Sequence, residues 1–230
     1  MAKAEFDSYV DTYYEEHKKN VEITGEAPEY FAEYKIADLA HYLSETRATC
    51  SRITDFGSGI GHSIPYFRSY FPGAALSCVD LSAQSQQLAR DRFPGKETYL
   101  LIEGEIVPIE DASQDIVFSA CVFHHIPRED HQKWLKELLR ITRPGGVLAI
   151  YEHNPLNPLT VRAVNTCPLD KNARLILARN LRRSCLAAGW SSARIDYRLF
   201  FPRSLAYLRP LERSLGWLCM GAQYRLLALR

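Results

Sequence analysis

Several features are missing from this 230-residue sequence. It has no stretch of about 20 uninterrupted apolar residues, which a membrane-spanning helix requires, and residues 1–20 have no apolar core of a secretory signal. The six cysteines lie far apart without a C-x-x-C pair, so their spacing indicates neither a zinc knuckle nor a disulfide framework. We therefore expect a cytoplasmic protein with no transmembrane segment and no bound metal.

Acidic residues are scarce in the C-terminal third of the chain. Residues 155–230 contain 13 Lys and Arg but only 3 Asp and Glu, whereas residues 1–154 contain 15 and 24, and the whole chain has a net charge of +1. The basic third could bind an anionic partner, or it could pair with the acidic part of the same fold. With 47% hydrophobic and 24% charged residues, the composition is that of one globular domain over residues 1–230.

Apolar runs alternate with helical patterns from residue 50 onward. Five of these runs are predicted strands, at residues 51–57, 74–81, 98–104, 115–123 and 145–153. Such alternation is typical of βαβ units around a parallel sheet. Two further runs, at 192–201 and 217–229, are joined by a short helical segment, 202–216, which favours antiparallel pairing. We predict an α/β fold with a doubly wound, seven-stranded sheet that is mostly parallel and has an antiparallel edge pair.

Helical patterns also precede the first strand, at residues 6–20 and 26–43. Residues 1–48 are thus predicted to form an N-terminal helical cap on a ligand-binding core at 50–153, and residues 154–230 to add a helix at 172–190 and the edge strands. The cap is rich in aromatic residues, namely Tyr9, Tyr13, Tyr14, Tyr30, Phe31 and Tyr34. They could line a pocket mouth or form the stripe by which the helices pack on the sheet.

Three glycines fall within five positions after the first predicted strand, in DFGSGIG at residues 55–61. Glycine permits positive φ and close approach of a ligand, and in a doubly wound sheet ligands bind at this strand-to-helix turn. A dinucleotide fingerprint would need a glycine at position 62, where this chain has His62, and Asp55 would oppose a phosphate. The turn therefore favours a nucleotide-like ligand that carries a positive charge.

This turn, Asp80 at the end of the second strand, and the segments 104–126 and 138–152 resemble the class I S-adenosylmethionine-dependent methyltransferases. The resemblance covers about residues 50–153, and its four elements occur in order at family-like spacing. It implies a Rossmann-like fold and S-adenosylmethionine as the cofactor. It also implies in-line methyl transfer, a reaction in which alignment of the reactants lowers much of the barrier.

The resemblance also assigns cofactor contacts, at Asp55, Gly57, Ser58, Gly59, Asp80, Leu81, Glu105, Ile106 and Cys121. Asp55 matches the acid that favours the cofactor's ammonium group. The two carboxylate oxygens of Asp80 would accept both ribose hydroxyls, with Leu81 beside the adenine. Glu105, near the Ile106 amide, would take the adenine amino group, with Glu103 as the competing assignment.

Three residues of the predicted cap would complete the cofactor site. Tyr14 and Phe31 would close over the sulfonium, whose positive charge favours aromatic faces. Lys35 would pair with the cofactor carboxylate, although a solvated lysine is the simpler alternative.

Candidate bases lie at the carboxyl ends of the fourth and fifth predicted strands: His124, His125, Glu152 and His153. Histidine titrates near neutrality and suits proton removal from an acceptor. We predict that His153 is the base, with Glu152 orienting it or binding the cofactor region. His125 is the second candidate, although His124 and His125 could instead hold their loop in place.

The acceptor is predicted to be a small molecule or a glycan. The segment 202–216 combines arginines with leucines at helical spacing, which suggests a phosphate-linked or lipid-linked acceptor and peripheral membrane contact, unless the segment simply packs on the fold. No nucleic acid is expected, because the Asn/Asp-Pro-Pro-aromatic tetrad and an aromatic-interleaved basic tract are absent. The alternatives are a nucleic-acid or protein methyltransferase, or a cofactor-binding regulatory module without turnover.

Overall fold

The computed structural model describes residues 13–46 and 50–230. Seven strands form one sheet in the order β3-β2-β1-β4-β5-β7-β6. They are β1 Arg52–Phe56, β2 Ala75–Asp80, β3 Thr98–Leu101, β4 Gln114–Ala120, β5 Thr142–His153, β6 Ser192–Arg198 and β7 Gln223–Leu229. The first five pair in parallel, and β7 runs antiparallel to both β5 and β6. The predicted mixed sheet with its antiparallel edge pair is confirmed.

Seven α-helices of the described residues flank the sheet. They are α1 Tyr13–Val21, α2 Pro28–Thr46, α3 Ile64–Tyr70, α4 Ala83–Arg92, α5 His131–Ile141, α6 Pro158–Thr166 and α7 Ala178–Ala187. Successive residues of the central strands alternate between two apolar cores, because neighbouring side chains on a strand point to opposite faces. On β4, Val117 lies in one core, and Ile116 and Phe118 lie in the other. The sheet is thus buried on both faces, as parallel sheets are.

Some predicted boundaries differ from those observed. The helix predicted at 172–190 begins only at Ala178, and residues 6–12 of the first predicted helix lie outside the described residues. The strand predicted at 217–229 begins at Gln223, because Asn154 Nδ2 donates to the carbonyls of Cys219 and Gly221 and holds that segment in a turn. Residues 203–215 form a 3₁₀ helix that contains Pro210. In the described part of the chain, no helix is long and apolar enough to cross a membrane.

Basic side chains of the C-terminal third bind acids of the N-terminal helical segment. Asp38 on α2 accepts hydrogen bonds from Arg198 of β6, Arg225 of β7 and the Tyr151 hydroxyl of β5. Glu26 pairs with Arg209 of the 3₁₀ helix at 2.6 Å. Of the two explanations for the uneven charge, these contacts support pairing within the fold.

Candidate functional site

A cavity of about 760 Å³ opens at the carboxyl ends of β1, β2, β4 and β5. The glycine turn lines it together with α1, α2, α6 and the segment Leu199–Pro202. Helix α1 contacts both α6 and the short 3₁₀ helix Pro168–Asp170, and these elements also contribute to the lining. The N-terminal cap and the C-terminal third therefore enclose a space over the strand ends.

The glycine turn between β1 and α3 has positive φ angles at Gly57 (77°), Gly59 (51°) and Gly61 (79°). A Cβ on Gly57 would lie 2.3 Å from Val122 Cγ2, so a side chain there would collide with the loop after β4. A Cβ on Gly59 would meet no described atom within 4 Å, because it would point into open space. Gly57 thus permits close packing, whereas Gly59 leaves room for a ligand.

Asp80, the last residue of β2, holds this turn in place. Its Oδ2 accepts from the Gly59 amide at 2.7 Å, and its Oδ1 accepts from the Ser82 amide at 2.9 Å. The Ser82 hydroxyl in turn caps α4 by accepting from the Ser85 amide. Because each carboxylate oxygen can accept a second hydrogen bond, these contacts leave Asp80 able to bind a ligand hydroxyl.

Asp55 lies beneath the same turn and is 2% exposed. Its Oδ2 and the Ser58 hydroxyl are buried without a hydrogen-bond partner among the described residues. Burial, and then the charge of Asp80, raise the pKa of Asp55 to about 7. A buried carboxylate of this kind favours a cationic ligand group or a proton.

His124, at the end of β4, lies between two carboxylates. Its Nδ1 is 2.6 Å from Glu152 Oε2, and its Nε2 is 3.4 Å from Asp170 Oδ1. His125 Nε2 lies 3.5 Å from the same oxygen of Asp170. Burial opposes a charged imidazole, but the two carboxylates together raise the pKa of His124 well above its ordinary value.

Three other cavity-lining histidines are held neutral. Burial lowers the pKa of His153 to about 4, that of His62 to about 4 and that of His17 to about 3. The His153 ring lies 5.2 Å from that of His124, centroid to centroid. Neutral imidazoles can both donate and accept hydrogen bonds, so this part of the cavity suits a polar ligand.

Of the three predicted cap residues, Phe31 and Lys35 line the cavity, whereas Tyr14 is not part of the described lining. The Tyr14 ring stacks instead on His62, with centroids 6.0 Å apart. Lys35 is 7% exposed, and its Nζ donates to the Phe31 carbonyl at 3.1 Å. No carboxylate of the described residues lies within ion-pair distance of it, and burial lowers its pKa.

Cys121 and Leu81, two of the cofactor contacts that the sequence predicts, also line the cavity. Cys121 has a positive φ of 59°, and its amide donates to the Tyr151 carbonyl. Burial raises the pKa of its thiol, so the sulfur is no ready nucleophile.

Glu105 and Ile106 do not reach the cavity. Glu105 is exposed and forms an ion pair with Lys133, and Ile106 is 64% exposed. Glu103, the competing assignment, bridges to Ile106 and is also absent from the described lining. The residue of this segment that faces the cavity is Ile102, so the expected acidic contact in this segment is not seen.

The sequence led us to expect that Glu152 orients His153 or binds the cofactor region. The structure shows different contacts for its carboxylate. It is fully buried and outside the described lining, and it accepts hydrogen bonds from the amides of Val122 and Phe123. Its other oxygen binds His124. Its carboxylate therefore fixes the loop after β4 rather than touching a ligand.

Sequence reasoning missed several cavity residues: His17, His62, Asp170, Arg209 and Gln223. Asp170 did carry a signal, because it is one of only three acids in residues 155–230. His62 also carried a signal, because it occupies the position of the third glycine in the dinucleotide pattern. The packing of distant elements alone brings His17, Arg209 and Gln223 into the cavity lining. No local sequence pattern predicts them.

Residues 54–150 match the family model described as a methyltransferase domain. Malonyl-[acyl-carrier protein] O-methyltransferase of Methylococcus capsulatus is 29% identical over 171 residues, which are 70% of this chain and 61% of the relative. Trans-aconitate 2-methyltransferase of Rhodopseudomonas palustris is 34% identical over 110 residues, 47% of this chain and 41% of the relative. The chain thus matches less than two thirds of the length of these relatives.

Solved structures share the fold at lower identity. A SAM-dependent methyltransferase from Thermotoga maritima superposes with a TM-score of 0.67 at 17% identity, covering 98% of this chain and 99% of that one. Phosphoethanolamine N-methyltransferase 2 of Haemonchus contortus, in complex with S-adenosyl-L-methionine, gives a TM-score of 0.56 at 19% identity, covering 79% and 49%. At these identities the likeness shows the fold.

Proposed function

We propose that this chain, whose residues 54–150 are a methyltransferase domain of the class I S-adenosylmethionine-dependent type, transfers a methyl group from that cofactor to a small-molecule acceptor. The observation that carries the proposal is the glycine turn held by Asp80 beside the buried Asp55, whose Oδ2 has no hydrogen-bond partner among the described residues. All of these groups lie at the carboxyl ends of parallel strands, where doubly wound sheets bind their ligands.

The residues present fit this cofactor. The space beside Gly59 is open, and Asp55 Oδ2 and Ser58 Oγ are buried without a hydrogen-bond partner among the described residues. When bound, S-adenosylmethionine supplies a methyl group on a positively charged sulfur, which an acceptor atom takes by in-line displacement to leave S-adenosylhomocysteine.

Each lining residue has a role in the proposed complex. The Asp80 carboxylate would bind the ribose hydroxyls, and Leu81 and Ile102 would flank the adenine. Asp55 would favour the ammonium group, together with the main-chain carbonyl of Cys121. These roles need only groups that already face the cavity or lie beneath the turn.

The cap contributes the remaining contacts. The buried ammonium of Lys35 lies in the cavity without a carboxylate partner in the described chain, which fits a role in binding a carboxylate of the cofactor or of the acceptor. Phe31 faces the same space and would offer its ring to the sulfonium.

On the acceptor side, we propose His153 as the group that takes a proton where the acceptor must lose one. It lies at the end of β5 in the cavity lining, and its neutral neighbour His125 is the second candidate. Glu152 holds the loop that carries His124 and His125 and is therefore a positioning residue. If the acceptor is already an anion, the transfer needs no base.

The histidine-lined cavity supports a small polar acceptor. The named relatives act on malonyl-[acyl-carrier protein] and trans-aconitate, and we propose an acceptor of similar polarity for this chain. A glycan is the second acceptor class, because hydroxyl groups would also find hydrogen-bond partners among these imidazoles. Cytoplasmic residence belongs to the same proposal and is supported by six cysteines without a disulfide.

Calorimetric titration with S-adenosylhomocysteine, run beside NAD, tests the cofactor assignment. Micromolar binding of the sulfur nucleoside and none of NAD would support it, after mass spectrometry has excluded a co-purified ligand. Methyl transfer to a panel of small carboxylates, amines, thiols and sugars would then test turnover. Cofactor binding without transfer to any acceptor class would instead favour a regulatory module.

A lipid-linked acceptor is a separate candidate, favoured by exposed apolar side chains on and after the 3₁₀ helix. Tyr207 is 75% exposed, Trp217 78% and Met220 65%. Arg209 of this helix is held by Glu26, which leaves Arg203 and Arg213 for an anionic surface. Cosedimentation with neutral and anionic vesicles tests the idea. Preferential binding to anionic vesicles that weakens in Trp217→Ala would support it, and equal or absent binding would reject it.

A further inference from the structure

A compact set of metal-ligating atoms lies beside the proposed cofactor site. His124 Nε2 and His125 Nε2 lie 3.4 and 3.5 Å from Asp170 Oδ1, and one ligand atom from each of the three residues lies within 4.8 Å of the others. Two donors that each bind zinc at about 2.1 Å in tetrahedral geometry are about 3.4 Å apart. The two distances to Asp170 therefore match the edges of a zinc coordination shell.

Glu152 supplies the second layer of such a site. Its carboxylate lies 2.6 Å from Nδ1 of His124, the ring nitrogen opposite the candidate ligand atom. Histidines that bind metals commonly donate their other ring N–H to a carboxylate, which fixes the tautomer and the ring orientation. Glu152 is itself held by the amides of Val122 and Phe123. Nε2 of His124 is therefore directed at Asp170 by a rigid support.

The site lacks two things that a bound cation would provide. His124 is 1% exposed, and its Nε2 has no hydrogen bond of good geometry among the described residues. In addition, neither Glu152 nor Asp170 has a lysine or arginine partner in the described chain. A proton on His124 or a metal ion at its Nε2 would each place a positive charge between Glu152 and Asp170, which offsets the cost of burying the Glu152 carboxylate.

We propose that His124, His125 and Asp170 bind a divalent first-row transition metal ion, with zinc as the best match. Two imidazoles and one carboxylate suit zinc in a catalytic type of site, which uses three protein ligands and leaves one position open. His125 and Asp170 both line the cavity shared with the glycine turn, so the open position faces the acceptor space. This departs from the expectation of no metal, which rested on the spacing of the cysteines along the chain.

The metal would select the acceptor class, and this part of the inference rests on the proposed function. An open zinc position binds an anionic oxygen, nitrogen or sulfur and lowers the pKa of a group that it holds. The acceptor is therefore a molecule whose methylated atom, or an adjacent oxygen, can coordinate the ion. Carboxylates, hydroxy acids and thiols meet this requirement, whereas a plain amine or an isolated sugar hydroxyl meets it poorly.

Metal binding is measured on the full chain, without a histidine tag. Zinc is titrated calorimetrically, and cobalt(II) is followed by its visible absorption, which reports the coordination geometry of the bound ion. We expect one ion per chain, and at least a hundredfold loss of affinity in Asp170→Asn and in His125→Gln. The control is His41→Ala, which removes an exposed His41–Glu45 pair that could bind zinc adventitiously. This variant should retain the site.

Absence of stoichiometric zinc binding would overturn the inference. So would binding that is lost in His41→Ala or kept in Asp170→Asn. S-adenosylhomocysteine is titrated in the same samples to separate the two claims and to show that each variant is folded. Cofactor binding without zinc binding rejects the metal site alone, and zinc binding without cofactor binding rejects the proposed function alone.

Discussion

At the residue scale, each of the few acids in the C-terminal third has a defined partner. Asp170 faces two histidines, Asp196 accepts from Arg225, and Glu212 accepts from the Tyr34 hydroxyl and from backbone amides. Burying a carboxylate is costly unless it is paired, so an acid kept within a basic, buried segment has a specific contact. Scarcity of acids in this segment is therefore the signal by which the missed Asp170 could have been found.

In the proposed complex, Asp55 couples cofactor binding to a proton. Its pKa of about 7 in the ligand-free protein lies above the ordinary value, so near neutral pH the carboxyl is partly protonated. An ammonium group beside it would lower that pKa, and binding would release up to one proton per chain. Affinity for S-adenosylhomocysteine should then rise as the pH increases through about 7.

Calorimetry in buffers of different ionisation enthalpy, at pH 6.5, measures the proton released by Asp55. The matched control is Asp55→Asn, which has the same shape and does not titrate in this range. Equal proton release by both proteins would contradict the assignment. In the ligand-free protein the same raised pKa makes stability fall as the pH rises from about 4 to 7, because the folded state binds the proton more tightly.

Substitutions at two glycines distinguish the loss of space for a ligand from the cost of backbone strain. Gly59→Ala places a methyl group in the open space next to Asp80 and should weaken S-adenosylhomocysteine binding at least tenfold, because that space is the proposed cofactor site. Gly145→Ala introduces similar strain at a φ of 74°. Gly145 lies near the N-terminal end of β5, away from the cavity, and this substitution should cost about 1 kcal/mol of stability. Calorimetry and thermal unfolding of both variants compare the effects; equal binding losses would show that strain alone explains them.

At the element scale, helix α2 joins the cap to the edge strands. Its residue Asp38 contacts β5, β6 and β7 through Tyr151, Arg198 and Arg225, and the apolar residues Ile36 and Leu39 are fully buried. The helix thus contributes both a core face and a polar anchor. Through Asp38, a basic part of the C-terminal third is paired with the acidic remainder of the chain.

Removing the Asp38 anchor should destabilise the protein strongly. In Asp38→Ala, the largely buried Arg225 and Arg198 lose a shared carboxylate, and breaking such a pair costs about 3 kcal/mol. The control is Asp91→Ala on α4, whose exposed carboxylate accepts from Gln87 of the same helix and should change stability by less than about 0.5 kcal/mol. Urea unfolding of both variants measures the difference, and equal losses would contradict the anchoring role.

At the scale of the whole molecule, the cavity is lined by residues from Glu16 to Gln223. Ligand binding should therefore stabilise the cap, the sheet and the C-terminal third together. At S-adenosylhomocysteine concentrations 100 times the dissociation constant, stabilisation by mass action is about 2.7 kcal/mol, or a rise in Tm of about 5–10 °C.

Differential scanning calorimetry with and without S-adenosylhomocysteine tests this coupling. We expect one transition that moves as a unit. Two transitions, of which only one responds to the ligand, would show that the cap unfolds independently of the strand ends. NAD at the same concentration is the control and should leave the transition in place.

The order of apolar runs and turns along the chain determined the sheet. Hydrophobic periodicity and the residues that end strands and helices are local properties of a sequence, so both can be recognised without the fold. The glycine turn and Asp80 could likewise be located, since a strand end followed by a glycine turn specifies both position and backbone shape. Leu81 and Cys121, each one residue past a strand, could be located in the same way, and both line the cavity.

Only the tertiary structure decided which side chains meet across long sequence separations. It turned Glu105 outward to Lys133, directed Glu152 to His124 rather than to its neighbour His153, and brought Asp170 to the paired histidines. These contacts depend on how helices and strands pack and on which buried charged groups are thereby brought within hydrogen-bond or ion-pair distance. A sequence pattern describes one element at a time, whereas the site is formed by contacts among elements that lie far apart along the chain.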